Sequence, residues 1–169
     1  MQGLMSPFEL TLVHVFQRAE RIFPEKGVVT ATRGGKDRIT YGEWAQRTRR
    51  LAGALDTLGI SDDGRVGTFA WNTSRHLELY FAAPCSGRVL HTLNIRLFPD
   101  DIVYIADHAE DEVVFCDRSL LKLLWPLADR LKTVKHFVVM DDGERERGAH
   151  PLHAPTMPAH RLRGPGRMA

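Results

Sequence analysis

Apolar positions recur at helical spacing from about Glu9 to Phe23, where Leu12, Val13, Phe16, Ala19, Ile22 and Phe23 form one stripe that Pro24 ends. Gly27 to Thr32 then reads as a strand, Gly34-Gly35-Lys36-Asp37 as a turn and Arg38 to Thr40 as the returning strand, a hairpin that runs into a helix start. Thr40 followed three residues later by Glu43 is the capping-box arrangement, in which each side chain satisfies a backbone N–H of the other residue. The helix it opens carries Trp44, Leu51, Ala52, Leu55 and Leu58 on one side, with Arg47, Arg49 and Arg50 as a solvated face on the other, and Gly59 closes it.

From Arg65 the pattern alternates: strand (Val66 to Trp71), helix (Ser74 to Ser86), strand (Val89 to Leu93), helix (Pro99 to Glu110), strand (Glu112 to Cys116), helix (Ser119 to Leu131) and strand (His136 to Met140). Short β-rich runs between amphipathic helices require right-handed crossovers. They predict a mainly parallel sheet with helices on both faces. The expected class is α/β, a partial doubly wound sheet with flanking helices and an amino-terminal hairpin.

After Asp141-Asp142-Gly143 this grammar stops. Residues 144–169 hold four Pro, three Gly, three His and five Arg, but no Val, Ile, Phe, Tyr or Trp, so they offer nothing for a strand or an apolar helix face. Two units are therefore expected: an α/β body over 1–143 and a basic Pro/Arg/His-rich tail over 144–169, either disordered or translated out of frame. The tail's five Arg against two Glu explain the overall charge of +2, leaving 18 basic and 19 acidic residues in the body. Nucleic-acid binding is accordingly not expected. Cys85 and Cys116 lie apart in apolar surroundings and read as reduced core thiols of a cytoplasmic protein. No signal peptide or run of about 20 apolar residues is present, so no membrane span is expected.

Motif chemistry is thin. Gly34-Gly35-Lys36 lacks phosphate-loop spacing, and Gly64-Arg65-Val66-Gly67 precedes a strand instead of following one. Ser61, Ser74, Ser86 and Ser119 sit at helix ends or turns, outside any G-x-S-x-G elbow. Asp100-Asp101 and Glu110-Asp111-Glu112 read as structural carboxylates, and His150 and His153 lack companions for a metal site. No catalytic residue and no metal ligand is assigned. His91, Asn94 and Arg96 stand out because they fall at and beyond the carboxyl end of a parallel strand, where open α/β sheets bind ligands. The alternative is a satisfied core histidine and a turn-capping asparagine.

Several ordered segments resemble the amino-terminal region of medium- and long-chain fatty-acid CoA ligases of the adenylate-forming superfamily. They are Ile39-Thr40-Tyr41-x-Glu43, Arg75 to Phe81, Val89 to Leu97, Tyr104-Ile105, His108 to Asp111 and His136 to Asp141, so the similarity covers about residues 8 to 143. The resemblance implies fatty acid, ATP, Mg²⁺ and coenzyme A as ligands of intact relatives, with acyl-adenylate formed first and thioester second. It also implies that Arg96 lies near the phosphates of coenzyme A, with His91 and Asn94 lining that region. The family's Ser/Thr/Gly-rich phosphate loop and catalytic lysine have no match, so the chain is expected to be a truncated synthetase, inactive alone. The other reading is a non-catalytic module pairing through its uncovered sheet with itself or with a synthetase. Arg88, where a small residue is expected between a helix-ending glycine and a buried strand, needs solvent or a partner for its charge.

Overall fold

The computed structural model describes residues 11–32 and 35–142. The chain order is α1 (Leu12–Ile22), β1 (Gly27–Thr32), β2 (Gly35–Thr40), α2 (Tyr41–Thr57), β3 (Arg65–Phe69), α3 (Ser74–Cys85), β4 (Val89–Thr92), α4 (Pro99–His108), β5 (Asp111–Asp117), α5 (Leu121–Leu124) and β6 (His136–Met140). The hairpin β1–β2 is antiparallel, and the remaining strands form a parallel sheet in the order β4-β3-β5-β6. This is the α/β architecture expected from the alternating pattern. The helix start at Glu9, the turn residue Gly34 and the tail over 144–169, with His150 and His153, lie outside the described residues.

The two central strands are buried on both faces, as parallel strands covered by crossover helices must be. On one face Val66, Val113 and Phe115 meet Leu55 of α2 and Leu79 and Ala83 of α3. On the other, Phe69, Val114 and Cys116 meet Ile102 and Ala106 of α4 and the run from Leu120 to Leu131. A third cluster joins Phe16 of α1 to Trp44 and Ala45 of α2, with the Phe16 and Trp44 rings edge-on at 5.0 Å. Outer helix and hairpin are thereby attached to the α2–α3 layer.

Local signals act where they were read. Thr40 Oγ1 accepts from Glu43 N at 3.1 Å, and Glu43 Oε2 accepts from Thr40 N at 2.8 Å, a complete capping box. Gly59 takes φ +69° just past the end of α2, a conformation that a side chain disfavours.

Four expectations are corrected. The returning hairpin strand begins at Gly35 rather than Arg38, because pairing continues through Thr32 and Gly35. The strand expected to reach Trp71 ends at Phe69, because the Trp71 N–H is taken at 2.6 Å by the Asp117 carboxylate instead of by a neighbouring strand. The helix expected over Ser119 to Leu131 is broken into a 3₁₀ turn (Arg118–Leu120), α5 and a second 3₁₀ turn (Trp125–Leu127), since Pro126 has no N–H and its ring crowds the preceding turn. Of the arginine face, Arg47 pairs with Glu78 of α3 and Arg49 with Glu20 of α1, so two of the three charges link helices.

Arg88 resolves its charge internally. Its guanidinium, with the side chain 4% exposed, donates to the Ile60 carbonyl from two nitrogens (3.3 and 3.0 Å), to Ser86 Oγ at 3.0 Å and to Asp56 Oδ1 at 2.8 Å. It therefore binds the carbonyl left open beyond α2 and joins that end to the end of α3. Arg88→Ala is expected to lower the unfolding free energy by about 2–3 kcal/mol in urea titrations. Arg88→Lys should recover less than half of this, because an ammonium cannot reproduce the planar fork.

Candidate functional site

The crossover from β4 through α4 to β5 carries all three residues singled out by the sequence. His91 lies within β4, in register with Gly67 of β3, which is in turn in register with Val114 of β5. In a parallel sheet these neighbours share a face, here the α4 face. His91 Nδ1 contacts both Asp111 oxygens, at 2.8 and 3.0 Å, and Asp111 is fully buried. The imidazole thus reaches over β3 from the edge strand to the first residue of β5.

Gly67 makes that reach feasible. A Cβ there would come within 2.9 Å of Asp111 Oδ2 and 3.1 Å of Val114 Cγ2. The hydrogen bond that His91 donates to the Asp111 carboxylate raises the His91 pKa above its ordinary value. Burial raises that of Asp111, outweighing the lowering by His91 and by the Arg65 charge.

Asn94 and Arg96 follow in the exposed loop after β4. Asn94 Oδ1 accepts from Arg96 N at 3.0 Å, an Asx turn, and the Asn94 carbonyl accepts from Leu97 N at 3.3 Å. The Arg96 side chain is exposed and makes no hydrogen bond or ion pair among the described residues. The structure therefore places His91 inside the sheet, bonded to Asp111, and Asn94 and Arg96 together in the exposed loop beyond the carboxyl end of β4.

Two buried polar residues escaped the sequence reading. His76 on α3 bonds Thr68 Oγ1 through Nε2 (3.0 Å) and the Trp71 carbonyl through Nδ1 (3.2 Å), and burial lowers its pKa. Its signal was present: it is the polar member of the stripe His76, Leu79 and Ala83 that faces the sheet. Asp117, at the carboxyl end of β5, is fully buried, with Oδ1 unpaired, and burial raises its pKa. Beside it the Cys116 thiol is pushed up to about 12, chiefly by burial, and reads as inert core. Cys85 is also a free thiol but is only half-buried.

Among the described residues, no group of three or more His, Cys, Asp or Glu side chains could hold a metal ion. Of the three carboxylates on β5, Asp111 is engaged with His91, Glu112 with Lys135 and one oxygen of Asp117 with Trp71 N, and they belong to no grouped ligand set among the described residues that would fit Mg²⁺. A cleft of about 200 Å³ lies between the hairpin and the start of α3, lined by Val29, Thr30, Asn72, Ser74, His76 and Tyr80 among others. None of His91, Asn94 or Arg96 lines it.

The family described as AMP-binding enzyme matches residues 16–161. A long-chain-fatty-acid–CoA ligase of Thermus thermophilus is 49% identical over 135 residues, covering 79% of this chain and 25% of the relative. A medium-chain-fatty-acid–CoA ligase of Ectopseudomonas oleovorans is 38% identical over 141 residues, covering 83% of this chain and 26% of the relative. The chain thus spans about a quarter of the length of these relatives. A fatty acyl CoA synthetase of Mycobacterium tuberculosis superposes with a TM-score of 0.67 at 21% identity, over 78% of this chain and 27% of that one, a likeness of fold alone.

The two histidines give stability a predictable pH profile. For His76, whose pKa is lowered in the fold, stability is present above the ordinary 6.5 and lost as pH falls through the folded value. For His91, whose pKa is raised, the contribution is full below 6.5 and lost as pH rises through the folded value. Asp111, also raised, loses its contribution earlier, as pH climbs from its ordinary 3.8. Urea midpoints across pH should show a decline above pH 6.5 that His91→Gln abolishes; a decline unchanged by the substitution would assign it elsewhere.

Proposed function

The chain belongs to the AMP-binding enzyme family, within which its relatives are acyl-CoA ligases, and from that premise we propose that it supplies the amino-terminal α/β layer of a fatty-acyl-CoA ligase. The observation that carries this is the 49% identity to a long-chain-fatty-acid–CoA ligase, sustained over 135 residues of a chain that folds as the expected layer. Medium- or long-chain fatty acid, ATP and coenzyme A are then the ligands of the whole assembly. Arg96 is the residue of this chain offered to a phosphate of coenzyme A, with Asn94 fixing the turn that presents it and His91 the strand before it.

Within that reading the 169 residues do not form acyl-adenylate by themselves. Carboxyl activation needs several donors and a cation around the transferring phosphate. The described residues bring together no such set, and the cleft beside α3 contains no cationic side chain. The same reading divides the chain by sequence into an AMP-binding body over 1–143 and a basic Pro/Arg/His-rich tail over 144–169, while the family match runs to residue 161. Cytoplasmic residence belongs to the same reading and rests on the two free thiols; no helix among the described residues is long and apolar enough to cross a membrane.

A second reading, a non-catalytic module that pairs with itself or with a synthetase, is favoured by the edges of the sheet. Strands β4 and β6 each have one neighbour among the described residues, and Phe98 and Tyr104 on the α4 side are 79% and 67% exposed.

One experiment addresses both. The purified chain is incubated with ATP, Mg²⁺ and a panel of fatty acids, and pyrophosphate exchange is followed while sedimentation records its mass. No exchange is expected. Robust exchange would overturn the proposal of inactivity, and a monomer that also fails to co-sediment with a full-length ligase would exclude the pairing module.

A further inference from the structure

The bond between His91 and Asp111 joins residues 20 apart in sequence, and the segment between them is the whole crossover: the Asn94–Phe98 loop, α4 and the turn into β5. β4 is a four-residue edge strand with β3 as its neighbour, so the loop after it hangs from a short attachment. The other fixed points of the crossover are Leu93, buried in the core with its N–H bonded to Thr68 O, Ile95, which packs on the same core, and α4, where Asp100 pairs with Arg130 at 2.7 Å and Asp107 Oδ1 accepts from Lys132 N at 2.9 Å. At the β4 end, His91 is the side chain that reaches past the neighbouring strand to a buried anchor.

We propose that His91 and Asp111 are positioning residues for the 94–98 loop: their pairing holds the two ends of the crossover together and thereby sets where Arg96 is presented to a phosphate-bearing ligand. The ligand half of this statement rests on the reading of Arg96 given above; the positioning half concerns the loop alone. Other charges face the pair from each packed element. Arg65 of β3 and Asp107 of α4 act on Asp111 with opposite sign. On α3, which covers the other side of the sheet, His76 is turned to Thr68 and Glu78 to Arg47. The pair is held as two opposite charges only in the pH window where Asp111 is ionised and His91 protonated. Above that window a neutral imidazole keeps one weaker, uncharged donor.

The test separates the two halves. Amide hydrogen exchange is measured on the full chain without ligand, from about pH 5 to about pH 9, across the range in which a histidine titrates. The readout is protection of Leu93, Arg96 and Leu97, whose N–H groups bond Thr68 O, Asn94 Oδ1 and Asn94 O. Protection is expected to fall by about fivefold as His91 loses its proton, the difference between a hydrogen bond joining two opposite charges and one from a neutral imidazole to a carboxylate. In His91→Gln it should be low and independent of pH while circular dichroism shows the fold intact. Loop protection that ignores pH, or that falls equally in the variant, overturns the positioning role. Should the single variant melt, His91→Gln with Asp111→Asn, which buries no charge, replaces it.

Separately, adenosine 3′,5′-bisphosphate, the nucleotide half of coenzyme A, is titrated by calorimetry. Because its phosphates gain protons near pH 6, variants are compared with the parent chain at each pH. Arg96→Ala should weaken binding by about tenfold and His91→Gln by about threefold, as losses of a charged phosphate contact and of its alignment. Equal affinity in the parent chain and Arg96→Ala, or no binding by either, rejects the reading of Arg96 while the exchange result still decides the positioning role. A normal Arg96 effect with no change in His91→Gln overturns the coupling between the pair and the loop.

Discussion

Burial of β3 and β5 on both faces is the constraint from which the architecture follows. A parallel strand with no wet face needs a helix above and below, and the only sequence that supplies both is one that alternates strand and helix while crossing from one side to the other. α2 and α3 close one face, and α4 with the broken helical run after β5 closes the other. Most of the polar and charged groups trapped in this interior find a partner within it, while Asp117 keeps one carboxylate oxygen unpaired. Arg88, Asp111, His76 and Glu78 all find one, through contacts that bridge elements distant in sequence.

These bridges divide the molecule into two mechanical halves. The α2–α3 layer is joined by Arg47 to Glu78 and by Arg88 to the end of α2, with α1 attached through Arg49 and Glu20. The solvent-facing Arg49–Glu20 pair contributes a few tenths of a kcal/mol, whereas Glu78 and the Arg88 fork are withdrawn from solvent and their pairs contribute more. On the opposite face, α4 is tied to the segment before β6 through Asp100 and Asp107, and to the sheet through His91 and Asp111. Asn94 and Arg96 sit at the open edge of this second half, close to its least supported strand.

The capping box, the closing Gly59 and the alternation of strands with helices were legible because each depends on residues within one turn or on a period. The AMP-binding family was legible for a related reason: its segments occur in order along the chain, and order survives in a sequence. The end of β3 at Phe69 was not legible, since it depends on a carboxylate 46 residues away from Trp71 taking a backbone N–H. Pro126 stands inside the apolar run from Ser119 to Leu131, and the broken helix follows from that one residue where the run's length alone suggests a continuous one. The role of His91 needed strand order. Only with β3 placed between β4 and β5 does a histidine, a glycine and an aspartate become a single cluster, and no spacing rule along the chain encodes that neighbourhood.

Gly67, His91 and Asp111 also form a unit of inheritance. A side chain at position 67 would collide with the Asp111 carboxylate, and an apolar residue at position 91 would strand that carboxylate in a dry interior. Replacing Asp111 would in turn leave a polar ring facing an empty place. A descendant can discard this arrangement only by passing through a poorly stable intermediate or by changing two positions together. The three positions should therefore drift as a set, with substitutions at one tolerated or rejected according to what already stands at the other two.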